Sequence, residues 1–154
     1  TRTPPAVFID DYGHHPTAVK LTLEGFKSFY PDYVLIADFM SHTYSRTHAL
    51  LDEFASSFSA ADEVILHKIY SSAREKKEDF EGKVSGSILF EHTKKQHPNV
   101  SYFEEIMEAK DYVIERLNTQ LPAGKKGYVF VTMGAGDNWK LGKAVFDQIS
   151  GNKG

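Results

Sequence analysis

Short apolar runs alternate with longer amphipathic stretches along this chain. Ala6-Val7-Phe8-Ile9 has the character of a buried strand. From Thr17 to about Tyr30, Val19, Leu23 and Phe26 recur at i, i+4 and i+7, a single apolar stripe that predicts a helix. Gly25 weakens that helix by roughly 1 kcal/mol relative to alanine, and Pro31-Asp32 ends it. Tyr33 to Phe39 is nearly continuous in apolar residues, as suits a parallel strand covered on both faces. A second helix is expected from about Thr47 to Phe58, with Leu51, Phe54 and Phe58 inward. Glu63 to His67 reads as a third strand, and Ser71 to Lys83 as a solvated loop or short helix.

Further along, Ser85 to His97 makes a weak helix anchored by Ile88 and Leu89, stopped by Pro98-Asn99. Val100 to Phe103 is a short fourth strand. Glu104 to Gln120 is a helix with Ile106, Val113 and Leu117 inward. Tyr128 to Met133 is a fifth, strongly buried strand, followed by a helix from about Trp139 to Ile149. Strands alternating with helices in this way imply one doubly wound, Rossmann-like α/β domain. Its sheet is expected to be mostly parallel, of about five or six strands, with helices on both faces.

In such sheets ligands bind beyond the carboxyl ends of the strands. Three loops at those ends are chemically rich: Asp10-Asp11-Tyr12-Gly13-His14-His15-Pro16, His42 to Thr47, and Gly134 to Asn138. Composition narrows what they do. The 154 residues fit a single domain, and a net charge of -3 argues against a general nucleic-acid binder. With no cysteine, disulfides, zinc–thiolate sites and thiol catalysis are excluded. No apolar run approaches the ~20 residues that span a bilayer. Thr1-Arg2-Thr3-Pro4-Pro5 contains no signal-peptide core, and a cytoplasmic setting is expected. So few residues ahead of the first strand suggest a domain cut from a longer protein.

Asp10 and Asp11 are neighbours on extended backbone and point to opposite faces. One can meet a ligand, as a ribose-binding or metal-holding carboxylate, while the other caps the turn. Two loop-capping aspartates are an equal alternative. His14 and His15 can bind metal, exchange protons or hold the loop through backbone carbonyls. Pro16 suits the first helical position. In the second loop Arg46 lies beside His42, Tyr44 and Ser45. It is placed to take a carboxylate in a bidentate fork, with the helix N-terminus beyond Thr47 adding a favourable field. An ordinary surface arginine, with Ser45 or Thr47 as helix cap, is the plainer reading. Gly134-Ala135-Gly136-Asp137 lets the backbone turn sharply and approach a ligand. The chain has neither a full dinucleotide fingerprint nor a P-loop, so if it works on ATP another domain must bring the P-loop. His67, Tyr70 and Arg74 are secondary candidates for the rim of the same site.

Taken in order, Asp10-Asp11-Tyr12-Gly13-His14-His15-Pro16-Thr17, Ser41-His42-Thr43-Tyr44-Ser45-Arg46-Thr47, Ala73-Arg74-Glu75 and Thr132-Met133-Gly134-Ala135-Gly136-Asp137 resemble a known set. They are similar to the C-terminal domain of the Mur ligases, closest to the branch that acts on L-alanine. The resemblance runs from about Val7 to Ile149. It departs from the family at Met40-Ser41, where glutamine–proline is common, and at Thr43, an arginine in some members.

The resemblance implies an enzyme of peptidoglycan synthesis that joins L-alanine to UDP-N-acetylmuramate with ATP and Mg2+. The carboxylate is first phosphorylated, and the amine then attacks the acyl phosphate. A central domain would carry the P-loop and most metal ligands, so this domain is expected to hold no metal and to be inactive alone. Its partners would be the N-terminal and central domains of its own chain. By position, Asp11 resembles the ribose-binding aspartate. Tyr12, His14 and His42 resemble residues near the alanine, and Arg46 the arginine that takes its carboxylate. Gly134, Gly136 and Asp137 resemble a contact loop, and Asp10 and His15 are left to hold the first loop in shape. Two other classes stay open on the residues alone: a metal-dependent phosphohydrolase built on Asp10, Asp11, His14 and His42, and a non-catalytic nucleotide-binding module.

Overall fold

Five parallel strands make one sheet in the order β1-β5-β2-β3-β4. They are β1 (Ala6–Asp11), β2 (Tyr33–Phe39), β3 (Glu63–Leu66), β4 (Val100–Tyr102) and β5 (Gly127–Met133). The computed structural model describes residues 3–151; Thr1, Arg2 and residues 152–154 lie outside the described part. The first strand is longer than its apolar run, so both Asp10 and Asp11 belong to it and pair with Thr132 and Met133 of β5.

The helices are α1 (Pro16–Phe29), α2 (Tyr44–Ala49), α3 (Leu51–Ala55), α4 (Gly86–Lys94), α5 (Lys110–Asn118) and α6 (Trp139–Gly151). Alternation along the strands divides the core in two. Leu35, Ala37 and Phe39 of β2 and Val129, Val131 and Met133 of β5 face Val19, Leu23, Phe54 and Leu89. Val34, Ile36, Tyr128 and Phe130 face Val113, Leu117, Leu141 and Val145 on the other side. Every residue of β5 is buried, as expected of a central parallel strand.

Two expected helices start elsewhere. The second begins at Tyr44 rather than Thr47 and breaks at Leu50 into α2 and α3. The stretch from Glu104 opens with a short 3-10 helix at Ile106–Ala109, and α5 starts only at Lys110. Ser85 caps α4 by accepting from Ile88 N. No described helix is long and apolar enough to cross a membrane.

Candidate functional site

The loops after β1, β2 and β5 meet beyond the carboxyl ends of the strands, because those three strands are neighbours in the sheet. The loop after β3 joins them: Tyr70 N donates to Ser41 O at 2.8 Å, and Thr43 N to Tyr70 O at 2.9 Å. Thr43 is pulled into a backbone with φ 67°, the one positive value among the described non-glycine residues. For a β-branched residue this costs on the order of 1–3 kcal/mol.

Thr43 is also the cap of α2, its Oγ1 accepting from Arg46 N at 3.3 Å. Arg46 is therefore inside the first turn of α2, not ahead of a helix, and neither Ser45 nor Thr47 is the cap. The free N–H groups at that helix end do not await a ligand. Glu75 accepts from Tyr44 N at 2.6 Å and from Ser45 N at 3.2 Å. A carboxylate of the chain thus fills the anion position that the helix N-terminus offers. The Ala73-Arg74-Glu75 motif thereby acquires a physical role in shaping the second loop.

Arg46 carries the most informative atom of the site. Its Nη1 is buried and has no hydrogen-bond partner among the described residues. A buried guanidinium N–H without an acceptor is costly, by about 1–3 kcal/mol or more for a charged group. His42 stands beside it. Burial, then the charge of Arg46, then His14, hold the His42 ring below the usual histidine range, so it is neutral at pH 7. The His42 ring lies 5.8 Å from Tyr70, and Tyr12 and His14 meet edge-on at 5.3 Å. Tyr12 is 72% exposed, its face offered to whatever approaches.

The two aspartates are both engaged. Asp10 accepts from Thr132 Oγ1 at 2.7 Å, and Asp11 Oδ1 accepts from Gly13 N at 2.8 Å. Asp11 Oδ2 has no partner among the described residues. His15 caps α1, its Nδ1 accepting from Thr17 N at 3.3 Å. Among the described residues no group of three histidine, aspartate or glutamate side chains gathers to hold a metal ion.

Gly134 has a nearer reason for being glycine than a ligand. At φ 118°, a Cβ there would lie 2.3 Å from the Met40 carbonyl oxygen, whereas one on Gly136 would press chiefly on the flexible Met40 side chain, 2.8 Å from Sδ. The close approach of Gly134 is to the end of β2. Asp137 pairs with Lys140 at 3.7 Å.

His67 is not at the rim. It is fully buried, with Nε2 2.6 Å from Asp38 Oδ2 and Nδ1 2.8 Å from the Phe103 carbonyl oxygen. Asn138 donates to Asp38 Oδ1 at 2.8 Å and to Met133 O at 3.1 Å. This cluster did not emerge from the sequence. The available signal was an aspartate inside an apolar strand, a position that demands a partner. A cleft of about 580 Å³ opens at the opposite end of the strands. Arg116 pairs with Glu63 within it, Asp62 pairs with Lys27 from outside its lining, and Lys125 reaches the Pro31 carbonyl oxygen.

The description "Mur ligase, glutamate ligase domain" matches residues 1–136. The chain belongs to the Mur ligase family. This Mur ligase domain is 54% identical over 141 residues to a UDP-N-acetylmuramate–L-alanine ligase of Treponema pallidum, covering 92% of the chain and 27% of that protein. The same enzyme of Desulfitobacterium hafniense is 39% identical over 140 residues, 91% of the chain and 29% of the relative. The Mur ligase domain thus spans little more than a quarter of the relatives it matches. Among solved structures, a UDP-N-acetylmuramate–alanine ligase from Thermotoga maritima superposes with TM-score 0.68 at 19% identity, over 96% of the chain and 27% of that structure. A murein peptide ligase from Psychrobacter arcticus gives 0.60 at 21% identity, over 95% and 28%. Both show the shared fold.

Proposed function

We propose that the chain is the C-terminal domain of an ATP-dependent ligase that joins L-alanine to UDP-N-acetylmuramate in the cytoplasm. Its loops form the amino-acid side of that site. The observation that carries the reading is the buried, unpartnered Nη1 of Arg46. A guanidinium is matched by a carboxylate in a two-pronged bond, and the α-carboxylate of L-alanine is such a group. His42, neutral beside Arg46, keeps a ring nitrogen able to accept a hydrogen bond from the amine of the same amino acid. Tyr12 and His14 offer the exposed faces that border it. Positioning amine and carboxylate is most of what such a domain must contribute.

Asp11 Oδ2, without a partner among the described residues, suits a ribose hydroxyl of ATP, and Gly134, Gly136 and Asp137 lie within the same loop cluster. Magnesium, like the phosphates it accompanies, is assigned to a central domain. The bonds of both aspartates to the frame weaken a phosphohydrolase built on Asp10, Asp11, His14 and His42.

The test uses the full-length ligase and the 154-residue chain side by side. Arg46→Ala in the former is expected to raise KM for L-alanine on the order of 100-fold, with KM for ATP nearly unchanged. The chain alone is expected to form no UDP-N-acetylmuramoyl-L-alanine. Equal effects on both KM values, or turnover by the isolated chain, overturn the reading.

A further inference from the structure

The α5–α6 side of the sheet carries a polar layer above its apolar core. Ile36 and Ile65 belong to that core, and two residues further along each strand stand Asp38 and His67. Four strand ends are tied there. Asp38 belongs to β2, and His67 follows β3. The Phe103 carbonyl follows β4, and Asn138 bonds both Asp38 and the last carbonyl of β5.

We propose that His67 is a positioning residue: held as an imidazolium between the Asp38 carboxylate and the Phe103 carbonyl, it fixes the loops that carry His42, Arg46 and Asp137.

Acceptors surround the ring. The Phe103 carbonyl only accepts, so Nδ1 bears a hydrogen. The Asp38 carboxylate takes the Asn138 amide on Oδ1 and faces Nε2 with Oδ2. Without a proton in that 2.6 Å contact, two lone pairs oppose each other in a fully buried place. The charged groups facing the ring are Asp38 from β2 and Asp137 from the loop ahead of α6. Burial is the largest single effect and opposes the charge, but the Asp38 charge and hydrogen bond, the Phe103 carbonyl and Asp137 together outweigh it, so the ring is held above the usual histidine range. β4 contributes the Phe103 carbonyl, and the start of α6 the Asn138 amide.

The displacement would travel along short covalent paths. His67 is three residues from Tyr70, whose backbone bonds Ser41 and Thr43. Asp38 is four residues from His42. Loss of the proton therefore pulls on both sides of the loop that seats Arg46. The proposal rests on the reading of Arg46 only for what the pinned loop would hold.

Histidine-ring and arginine-guanidinium 15N NMR of the 154-residue chain tests it without any ligand, so its outcome does not depend on L-alanine recognition. At pH 7 both ring nitrogens of His67 are expected to be protonated. As pH rises past the range in which exposed histidines become neutral, loss of that proton is expected to shift the His42 ring and Arg46 guanidinium signals. Asp38→Asn supplies a control. Its amide can donate to a neutral Nε2 while its oxygen still accepts from Asn138. That variant is expected to fold, to keep the site signals near their original positions, and to lose that response. His67→Gln is expected to lose the response as well. One unprotonated His67 nitrogen at pH 7 overturns the proposal. So do His42 and Arg46 signals that stay in place as His67 deprotonates, or that keep the same response in Asp38→Asn.

Discussion

At the scale of single residues, the site depends on two backbone positions that tolerate little. Gly134 holds φ 118° against the Met40 carbonyl, with no room for a methyl group. Gly134→Ala is expected to cost at least about 2 kcal/mol. Thermal unfolding should then fall by roughly 4–8 °C for a chain of this size. Thermal unfolding within 1–2 °C of the parent would mean that the loop relaxes away from β2. Thr43 is the second such position, and its strained backbone persists because Tyr70, Thr47 and Arg46 all bond to it.

At the scale of elements, α2 is too short to stand by its own propensity. Six residues are held by Thr43 at one end and by the Glu75 carboxylate across the first turn. Glu75→Ala is expected to cost about 1–2 kcal/mol in urea unfolding. It should also weaken L-alanine binding by the ligase through a loosened Arg46, with Arg46 itself intact. An unchanged KM for L-alanine would detach α2 from recognition. Much of this domain was legible beforehand. The strands stood out because parallel strands covered on both faces are written as apolar runs, and Val19, Leu23 and Phe26 placed α1 to within a residue. The start of α2 was not legible, since the group that satisfies Tyr44 N comes from 31 residues away. The Asp38–His67 pair was hidden for the same reason. Each residue points to a known face, but only the strand register, which sets Asp38 opposite Ile65, brings His67 two residues further on within reach. The aspartates of the first loop were read as one ligand and one support. Both bond the frame, and Asp11 retains an oxygen for more.

At the scale of the whole molecule, the buried imidazolium couples stability to pH. The folded chain binds a proton at His67 that the unfolded chain releases near pH 6.5. The stabilisation is complete below that value and is lost as pH rises through the higher folded value, because the native state binds more protons there. Urea midpoints are thus expected to decline from about pH 6.5 upward. The decline should be shallower in His67→Gln than in the parent. Parallel profiles would show that the pair contributes nothing to the pH response.

The strand order also governs when the site can exist. β1 has one neighbour, β5, and the Asp10–Thr132 bond spans 122 residues. β5 lies between β1 and β2, so the first two strands of this domain cannot pair with each other in the native sheet. The first loop, although translated ahead of the rest of the domain, gains its native seat only once β5 has been made. Contacts so distant in sequence slow folding. During synthesis β1 must wait as an unpaired apolar segment, the part of the nascent domain most in need of shielding from other chains.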